Sequence, residues 1–275
     1  MIYISDLDGT LLDSHGNVSG FTRETIRGLV RSGIKFTVAS ARSWHSANHI
    51  MEELGLVLPV ILRNGAVIYD PAGKKILRNR FLGYRAGMGI IHRMTALGLN
   101  PIVHSASGDI EHVDYVHITN PGEETYISSR LRHGDRRIRK MDGFSYPKNT
   151  RFMALCAIDG HEKQRKAFEA IGHGAGREAS VHLYPDNYSP YTWLECNHAG
   201  ATKELGARDI LELTGETEYI AFGDNENDLG MLSLARSAYV TAESFLDAKG
   251  HDFLTIPSCD EDGVARKLLE LNPVL

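Results

Sequence analysis

The sequence predicts an α/β protein in which a doubly wound, mainly parallel sheet forms the core and a smaller α+β domain is inserted into it. Short apolar runs alternate with helical patterns towards both ends of the 275-residue chain, which is typical of parallel strands joined by helices. Between residues 83 and 191 this alternation gives way to mixed extended and helical segments. We therefore expect a discontinuous core, residues 1–82 and 192–275, and an inserted domain over residues 83–191.

The first elements of the core are a strand, a helix and a second strand. The apolar run "MIYIS" predicts a buried strand, and "FTRETIRGLVRSG" predicts a helix because Ile26, Leu29 and Val30 fall on one face. The run "IKFTVASAR" predicts the next strand, so these segments form a βαβ unit. A helix over "SWHSANHIMEELG" follows, and "LPVILRNGAVIYD" predicts two extended segments that turn at Asn64-Gly65.

The C-terminal part of the core repeats this pattern. We expect a helix, a strand, a helix, a strand and a closing helix over "ATKELGARDILELTG", "EYIAFGD", "ENDLGMLSLA", "SAYVTA" and "DEDGVARKLLEL". Right-handed crossovers place the carboxyl ends of parallel strands at one edge of the sheet, where ligands bind in open α/β sheets. The residues at these strand ends are Asp6, Ser40, Asn64 and Asp224.

The inserted segment is predicted to form a sheet of its own with flanking helices. Helices are expected over "RAGMGIIHRMTALG" and "GHEKQRKAFEAIG", and extended segments over "DYVHITN", "RFMALCAID" and "SVHLYP". Mixed elements of this kind are typical of an α+β domain.

Charge and composition narrow the classes of partner. The formal net charge is -5, which does not favour nucleic acid or an anionic membrane surface as a partner. No apolar run approaches the roughly 18 residues that a membrane span requires, and no secretory leader is apparent before the acidic cluster at Asp6. Cys156, Cys196 and Cys259 are far apart, so neither a disulfide framework nor a CxxC site is predicted. We expect a cytoplasmic monomer or weak homodimer that acts on a small molecule.

Three carboxyl groups, those of Asp6, Asp8 and Asp224, are expected close together at the ligand-binding edge. They cannot all stay ionised without a counter-charge, and Mg²⁺ prefers hard oxygen ligands such as these. Helix capping or turn formation would explain each aspartate by itself, but it explains the three together poorly. The sequence therefore predicts a Mg²⁺ site that leaves room for a substrate phosphate oxygen.

Other residues at this edge suit a bound phosphate group. Ser40 offers a hydroxyl directly before a helix, whose free N–H groups favour an anion. Lys203 lies at the start of another predicted helix, where an anionic partner would offset its unfavourable interaction with the helix dipole. Gly9 and Thr10 fit a tight loop whose backbone N–H groups can approach a phosphate closely.

Four motifs, in this order, resemble those of the haloacid dehalogenase (HAD) superfamily of aspartyl-phosphate hydrolases. The segment "DLDGT" from Asp6 resembles motif one, Ser40 in "VASAR" motif two, Lys203 motif three, and "GDNENDLGML" motif four. The segments "NGA" at Asn64 and "DEDGVA" at Asp260 are similar to those of the Cof-type phosphatases, whose C2 cap is inserted between motifs two and three. The resemblance implies a Rossmann-like, HAD-like core and a cap that covers the active site.

The resemblance also implies a two-step hydrolysis of a phosphomonoester. Asp6 would attack phosphorus to form an aspartyl phosphate, which splits the reaction into two easier displacements. Asp8 would protonate the leaving alcohol and then deprotonate the attacking water. The residues alone do not say which of the two aspartates is the nucleophile.

The same resemblance assigns the remaining motif residues to the metal and the phosphoryl group. The implied metal ligands are Asp6, the backbone carbonyl of Asp8, and Asp224, with Asp228 ordering the waters of the metal or Lys203. The implied ligands of the phosphoryl oxygens are Ser40, Lys203 and Asn227.

Two further residues have open interpretations. Arg42 pairs either with a phosphate or with a surface carboxylate, and Asn64 either binds substrate or only forms the turn. Cof-type proteins commonly have Thr-Gly-Arg at motif two, whereas this chain has Ser40-Ala41-Arg42, which keeps the hydroxyl but restricts the backbone.

The favoured function is the Mg²⁺-dependent hydrolysis of a small phosphomonoester such as a sugar phosphate. A phosphohexomutase-like transferase would use the same aspartyl phosphate, and a phosphate-binding protein of the same fold without turnover is a third hypothesis. The intact set of Asp6, Asp8, Lys203 and Asp224 favours an enzyme, because a binding protein needs neither a nucleophile nor an acid.

Overall fold

The chain forms two compact units. The computed structural model describes residues 1–107, 110–132, 134–172, 177–185, 189–244, 246 and 253–273. The first unit comprises Met1–Asn79 and Ala201–Leu275, and the second comprises Arg80–Gly200. The second unit thus extends beyond the predicted insertion of residues 83–191, chiefly at its C-terminal end.

Strands and helices alternate in the first part of the first unit. Its elements are β1 (Ile2–Ser5), α1 (Gly20–Arg31), β2 (Lys35–Val38), α2 (Trp44–Leu54), β3 (Val60–Leu62), β4 (Val67–Asp70) and β5 (Lys75–Asn79).

The second unit has longer strands and three helices among its described residues. Its elements are α3 (Tyr84–Ala96), β6 (Ile102–Ser107), β7 (Ile110–Tyr115), α4 (Pro121–Arg132), β8 (Ile138–Lys140), β9 (Arg151–Asp159), α5 (His161–Gly172), β10 (Ala179–Pro185) and β11 (Thr192–His198).

The chain then returns to the first unit. The elements there are α6 (Lys203–Thr214), β12 (Tyr219–Gly223), α7 (Leu229–Leu234), β13 (Ser237–Thr241), β14 (Leu254–Ile256) and α8 (Gly263–Leu271). Among the described residues, none of the helices combines the length and the apolar character that a membrane span requires.

The first unit is built on a parallel sheet with the strand order β14-β13-β12-β1-β2. Every neighbouring pair in this order is parallel, so the predicted α/β class is confirmed. Ser5, the last residue of β1, pairs with Phe222 on one side and Val38 on the other. The loops that follow β1, β2 and β12 therefore leave the sheet at the same edge.

Apolar packing fixes α6 and α7 against this sheet. Ile2 and Ile4 of β1 lie in one buried cluster with Ile210 of α6 and Met231 of α7. Each fully buried side chain of this size contributes roughly 1.5–3 kcal/mol relative to an exposed one. This packing holds the first residue of α6, Lys203, at a constant distance from the sheet.

Local capping determines where α6 begins and ends. The Thr202 side chain accepts a hydrogen bond from the Leu205 N–H at the first turn, and Gly215 ends the helix in the left-handed conformation. Thr side chains at this position satisfy an N–H group that the helix leaves free.

The second unit contains a six-stranded sheet with the order β10-β11-β9-β6-β7-β8. Its pairs are antiparallel except for β7 with β8. Successive residues of β9 face opposite sides: Leu155 packs with Ile90 of α3 and Ile171 of α5, whereas Cys156 packs with Tyr126 of α4. Helices therefore pack on both faces of this sheet.

The predicted boundary at residue 192 differs from the structure. Thr192–His198 forms β11, which pairs along its length with β9 and β10 of the second sheet. An apolar, alternating segment at the end of an insertion gives no sign of which sheet it joins. The chain returns to the first unit only at Ala201.

The predicted turn at Asn64-Gly65 is confirmed as the connection between β3 and β4, which pair in antiparallel fashion. Asn64 has a φ of 54° and Gly65 a φ of 93°, a region in which only residues such as Gly and Asn are tolerated well. A Cβ on Gly65 would lie 2.0 Å from the backbone oxygen of Thr202. This close approach brings the turn against the start of α6.

The substitution Gly65→Ala is predicted to unfold the first unit more easily. Strain at positive φ and overlap with the Thr202 carbonyl together predict a loss of about 2–5 kcal/mol in the free energy of unfolding, measured by urea titration. The control is Gly28→Ala inside α1, where a Cβ meets nothing within 4 Å. That change should stabilise the protein by about 0.5–1 kcal/mol, and equal effects of the two changes would contradict the prediction.

Candidate active site

The carboxyl ends of β1 and β12 bring two predicted aspartates to one edge of the sheet. Asp6 follows β1 directly, and its N–H donates to the Phe222 carbonyl of β12 at 2.9 Å. Asp224 follows the last residue of β12. The parallel register therefore places these two carboxyl groups at adjacent strand ends, as the sequence predicts.

Lys203 lies between two buried carboxylates. Its Nζ donates to Asp6 Oδ1 at 2.6 Å and to Asp228 Oδ1 at 2.7 Å. The relative exposures of Lys203, Asp6 and Asp228 are 1%, 5% and 0%. Burial lowers the pKa of Lys203, but the attraction of Asp228 and Asp6 outweighs burial and raises that pKa above its ordinary value. The ammonium is therefore charged and shared by both carboxylates.

Asp228 also orders the loop that carries Asp224. Its Oδ2 accepts hydrogen bonds from the N–H groups of Asp224 and Asn225, each at 3.1 Å. Both of its oxygens are thus occupied, one by backbone N–H groups and one by Lys203. A Cβ on Gly223 would lie 2.7 Å from the Asp228 Cβ, so glycine permits this arrangement.

Asp6, Asp224 and Asp228 each offer a carboxylate oxygen within 4.8 Å of the others. Burial raises the pKa of Asp224 to about 6, and the charge of Asp228 adds to the rise. Burial also raises the pKa of Asp6, a rise that Lys203 opposes and that Asp228 and Asp224 reinforce. Three carboxylates with one ammonium between them leave a negative excess, and hard oxygen donors of this kind fit a divalent cation such as Mg²⁺.

Three hydroxyl side chains donate hydrogen bonds to Asp224 and to the Gly9 loop beside it. The sequence pattern indicated Thr10 only as part of the loop and did not indicate Thr241 or Ser244. Thr10 Oγ1 donates to Asp224 Oδ1 at 3.1 Å, and Ser244 Oγ donates to the Asp224 carbonyl at 2.6 Å. Thr241 Oγ1 donates to the Gly9 carbonyl at 3.1 Å. Thr241 ends a predicted strand, so its place at the sheet edge was available as a signal, whereas no pattern marks Ser244.

Gly9 allows the loop after β1 to pass close to Asp224. Its φ is 79°, and an added Cβ would lie 2.5 Å from Asp224 Oδ2. Glycine is therefore required here both for the backbone conformation and for space.

Ser40 is fully buried after β2. Its N–H donates to the Ile61 carbonyl at 2.9 Å, and its carbonyl accepts from the Asn64 N–H at 3.0 Å. Its Oγ accepts a hydrogen bond from the Arg42 N–H at 3.1 Å, so the hydroxyl proton can still be donated to a ligand.

Asn227, predicted to bind the phosphoryl group, contacts Asn64, for which the sequence left both substrate binding and a turn role open. Asn227 Nδ2 donates to Asn64 Oδ1 at 3.0 Å. The contact joins the turn after β3 to the short 3₁₀ helix Glu226–Asp228 that follows β12. It explains why a residue of the β3–β4 turn belongs to this edge.

The Asp8 side chain is separate from the other carboxylates. It is 52% exposed and pairs with Arg42, whose Nη2 lies 2.5 Å from Asp8 Oδ1. Among the described residues, the carboxylates that lie together are those of Asp6, Asp224 and Asp228. The sequence predicted the Asp8 carboxyl as the third member of this group, and the structure has Asp228 there instead. The metal contact predicted for Asp8 was through its backbone carbonyl and stays a prediction.

Comparisons with known proteins match this chain to one family over almost its whole length. A family model described as "haloacid dehalogenase-like hydrolase" matches residues 3–268. The 5-amino-6-(5-phospho-D-ribitylamino)uracil phosphatase YwtE of Bacillus subtilis is 24% identical over 282 aligned residues, which cover 94% of each chain.

Solved structures share the fold. TM0651 from Thermotoga maritima matches with a TM-score of 0.80 and 23% identity, covering 98% of this chain and 96% of that chain. BT4131, described as a HAD subclass IIB sugar phosphatase, matches with a TM-score of 0.74 and 18% identity, covering 100% of this chain and 99% of that one.

The substitution Lys203→Met is predicted to destabilise the first unit. It leaves Asp6 and Asp228 buried without their cation, which costs about 3–5 kcal/mol in the free energy of unfolding. The control is Lys35→Met, since Lys35 pairs with Glu216 at 2.7 Å but is 42% exposed. The control should change stability by at most about 1 kcal/mol, and a similarly small effect of Lys203→Met in urea unfolding would contradict the prediction.

Proposed function

Because this chain belongs to the haloacid dehalogenase-like hydrolases, we propose that it is a Mg²⁺-dependent phosphatase that hydrolyses a small phosphomonoester. The observation that carries the proposal is the buried Lys203 ammonium, shared by Asp6 and Asp228, with Asp224 at the next strand end. The family resemblance inferred from the four sequence motifs is confirmed by the family match. The reaction, its metal and the role of each residue are the proposal.

In the first proposed step, Asp6 is the nucleophile. A carboxylate oxygen of Asp6 attacks phosphorus, the bond between phosphorus and the ester oxygen breaks, and an aspartyl phosphate forms. Asp8 gives its proton to the departing alcohol oxygen. The rigid attachment of Asp6 to β1 supports this role, since a buried carboxylate that cannot rotate freely is held ready for in-line attack.

In the second proposed step, water regenerates the enzyme. Asp8, now ionised, accepts a proton from the water that attacks phosphorus, the bond to Asp6 breaks, and inorganic phosphate leaves. The half-exposed position of Asp8 supports this role, because water reaches its carboxylate, whereas Asp228 is fully buried.

Lys203 and a cation held at this site would stabilise the charge of the phosphoryl group. Lys203 would hold a phosphoryl oxygen as charge moves onto it, together with the Ser40 hydroxyl and Asn227. When bound by Asp6, Asp224 and the Asp8 carbonyl, Mg²⁺ would supply Lewis-acid neutralisation of the phosphoryl charge. Asp228 would keep Lys203 and the Asp224 loop in position, as its hydrogen bonds support.

The proposed substrates are sugar phosphates and related small phosphates. YwtE is named for a substrate that carries a phosphorylated ribityl group, and BT4131 is described as a sugar phosphatase. We propose that the second unit acts as the cap and selects the leaving group, and that the protein works in the cytoplasm as a monomer or weak homodimer.

The proposal predicts that Asp6→Asn abolishes phosphate release. A panel of sugar phosphates and other phosphomonoesters is incubated with Mg²⁺, and the variant should lose at least about 10³-fold in kcat/KM because the nucleophile is gone. Glu218→Gln is the control, since Glu218 forms an exposed pair with Arg236 at 3.0 Å. It should stay within about twofold of the original enzyme.

Three results of this assay would contradict the proposal. They are retained activity in folded Asp6→Asn, no phosphate from any substrate with the unaltered protein, and conversion of a hexose phosphate to its isomer in place of free phosphate. The last of these would indicate a mutase.

Metal removal is predicted to abolish turnover reversibly. Chelation by EDTA should stop phosphate release, and added MgCl₂ should restore it. Mg²⁺ should also raise the melting temperature of the unaltered protein through binding to the native state, and Asp224→Asn should remove most of that rise. The same Mg²⁺-dependent rise in both proteins would show that Asp224 does not hold the metal.

A further inference from the structure

The hydrogen bonds of Arg42 point to a role other than phosphate binding. Its Nε donates to Asp8 Oδ2 at 2.9 Å, and its Nη2 donates to Asp8 Oδ1 at 2.5 Å. Two parallel hydrogen bonds between a guanidinium and a carboxylate fix the position of the carboxylate and also its rotation. A lysine or a single hydrogen bond would fix neither as well.

Asp8 differs from the other aspartates of the site in needing such a partner. Asp6 and Asp228 are held by burial and by Lys203, whereas the Asp8 side chain is 52% exposed. An exposed carboxylate on a loop samples several rotamers unless it is tied. A group that transfers protons must keep a constant distance from the reacting oxygen, so free rotation would lower the rate.

Two hydrogen bonds fix the backbone of Arg42. Its N–H donates to Ser40 Oγ at 3.1 Å, and its carbonyl accepts from the Arg63 N–H at 3.0 Å. The guanidinium also has a close neighbour, because a Cβ on Gly16 would lie 3.3 Å from Nη2. The side chain is therefore bounded by the turn that contains Gly16.

Hydrogen bonds hold that turn together and join it to the C-terminal "DEDGVA" segment. Asp13 Oδ1 accepts from the N–H groups of His15 and Asn17 at 2.9 and 2.8 Å. The Ser14 N–H donates to Asp260 Oδ1 at 2.7 Å. A hydrogen-bonded turn beside the guanidinium limits the ways in which Arg42 can leave Asp8.

We propose that Arg42 is a positioning residue that orients the Asp8 carboxyl, and that it is not a ligand of the transferred phosphoryl group. The inference rests on the proposed function, in which Asp8 moves the protons of both steps. The sequence left two partners open for Arg42, a phosphate or a surface carboxylate. The inference favours a carboxylate, and that carboxylate is Asp8 of the site.

The first test separates positioning from phosphate binding. Arg42→Lys keeps the positive charge and loses the two-point pairing, so kcat should fall by about 10-fold or more, while KM stays within about threefold. The Kd for inorganic phosphate, measured by titration calorimetry without turnover, should also stay within about threefold. A phosphate ligand would give the opposite result, a large rise in the phosphate Kd in both Arg42→Lys and Arg42→Gln, and that result would overturn the inference.

The second test asks whether Arg42 acts through Asp8. In an Asp8→Asn background, Arg42→Lys should lower kcat further by no more than about twofold, because the group that it positions has already lost its function. Losses that simply multiply would overturn the inference. Arg236→Lys, which alters the exposed pair with Glu218, is the matched control and should leave kcat within about twofold.

These results are distinguishable from a failure of the proposed function. If the unaltered protein releases phosphate and Asp6→Asn does not, the proposed function stands. In that case, losses of kcat from Asp8→Asn and Arg42→Lys that multiply would contradict only the inference about Arg42. If Asp6→Asn remains active, the proposed function fails whatever the Arg42 variants do.

Discussion

The rest of the site depends on the buried ammonium of Lys203. It lies 2.6 Å from Asp6 and 2.7 Å from Asp228, where neither carboxylate has enough water to remain ionised by itself. The ion pairs join the end of β1, the start of α6 and the 3₁₀ helix after β12, which are far apart in the sequence. Without this cation, burial would favour neutral carboxylic acids, which are poor nucleophiles and poor metal ligands.

Three glycines let the backbone bring these charges together. Gly65 lets the β3–β4 turn contact the Thr202 carbonyl, so the start of α6 is fixed one residue before Lys203. Gly9 lets the loop after β1 pass beside Asp224, and Gly223 makes room for the Asp228 side chain. Each of these glycines stands where the backbone meets a charged group or its anchor. Pre-organised charges of this kind need little rearrangement when charge develops during a reaction.

Local patterns in the sequence predicted the parallel sheet and the strand ends, because apolar periodicity and strand–helix alternation are properties of short segments. They also predicted that Asp6 and Asp224 lie at one edge. The contact of Asp228 with Lys203 was one of two roles that the family resemblance implied for Asp228. The Ser244 hydrogen bond and the pairing of Arg42 with Asp8 depend on loop conformations that no local pattern encodes. The end of the inserted domain was misplaced for a related reason: the partner strands of β11 are determined by tertiary packing and not by its own sequence.

The measurement that tests the account most directly is the detection of a phosphoryl group on Asp6. Asp8→Asn removes the acid of the first step and the base of the second, so the substrate for this test is an aryl phosphate such as p-nitrophenyl phosphate, whose leaving group departs without a proton. The second step then lacks its base while the first still proceeds, and a covalent intermediate should accumulate after mixing. Rapid acid quench, proteolysis and mass spectrometry should then find one phosphoryl group on the N-terminal peptide, at Asp6, in amounts that match the first turnover of released alcohol. Release of alcohol by this variant without a phosphoryl group on Asp6 would contradict the account, because the phosphoryl group would then have passed directly to water or to another residue.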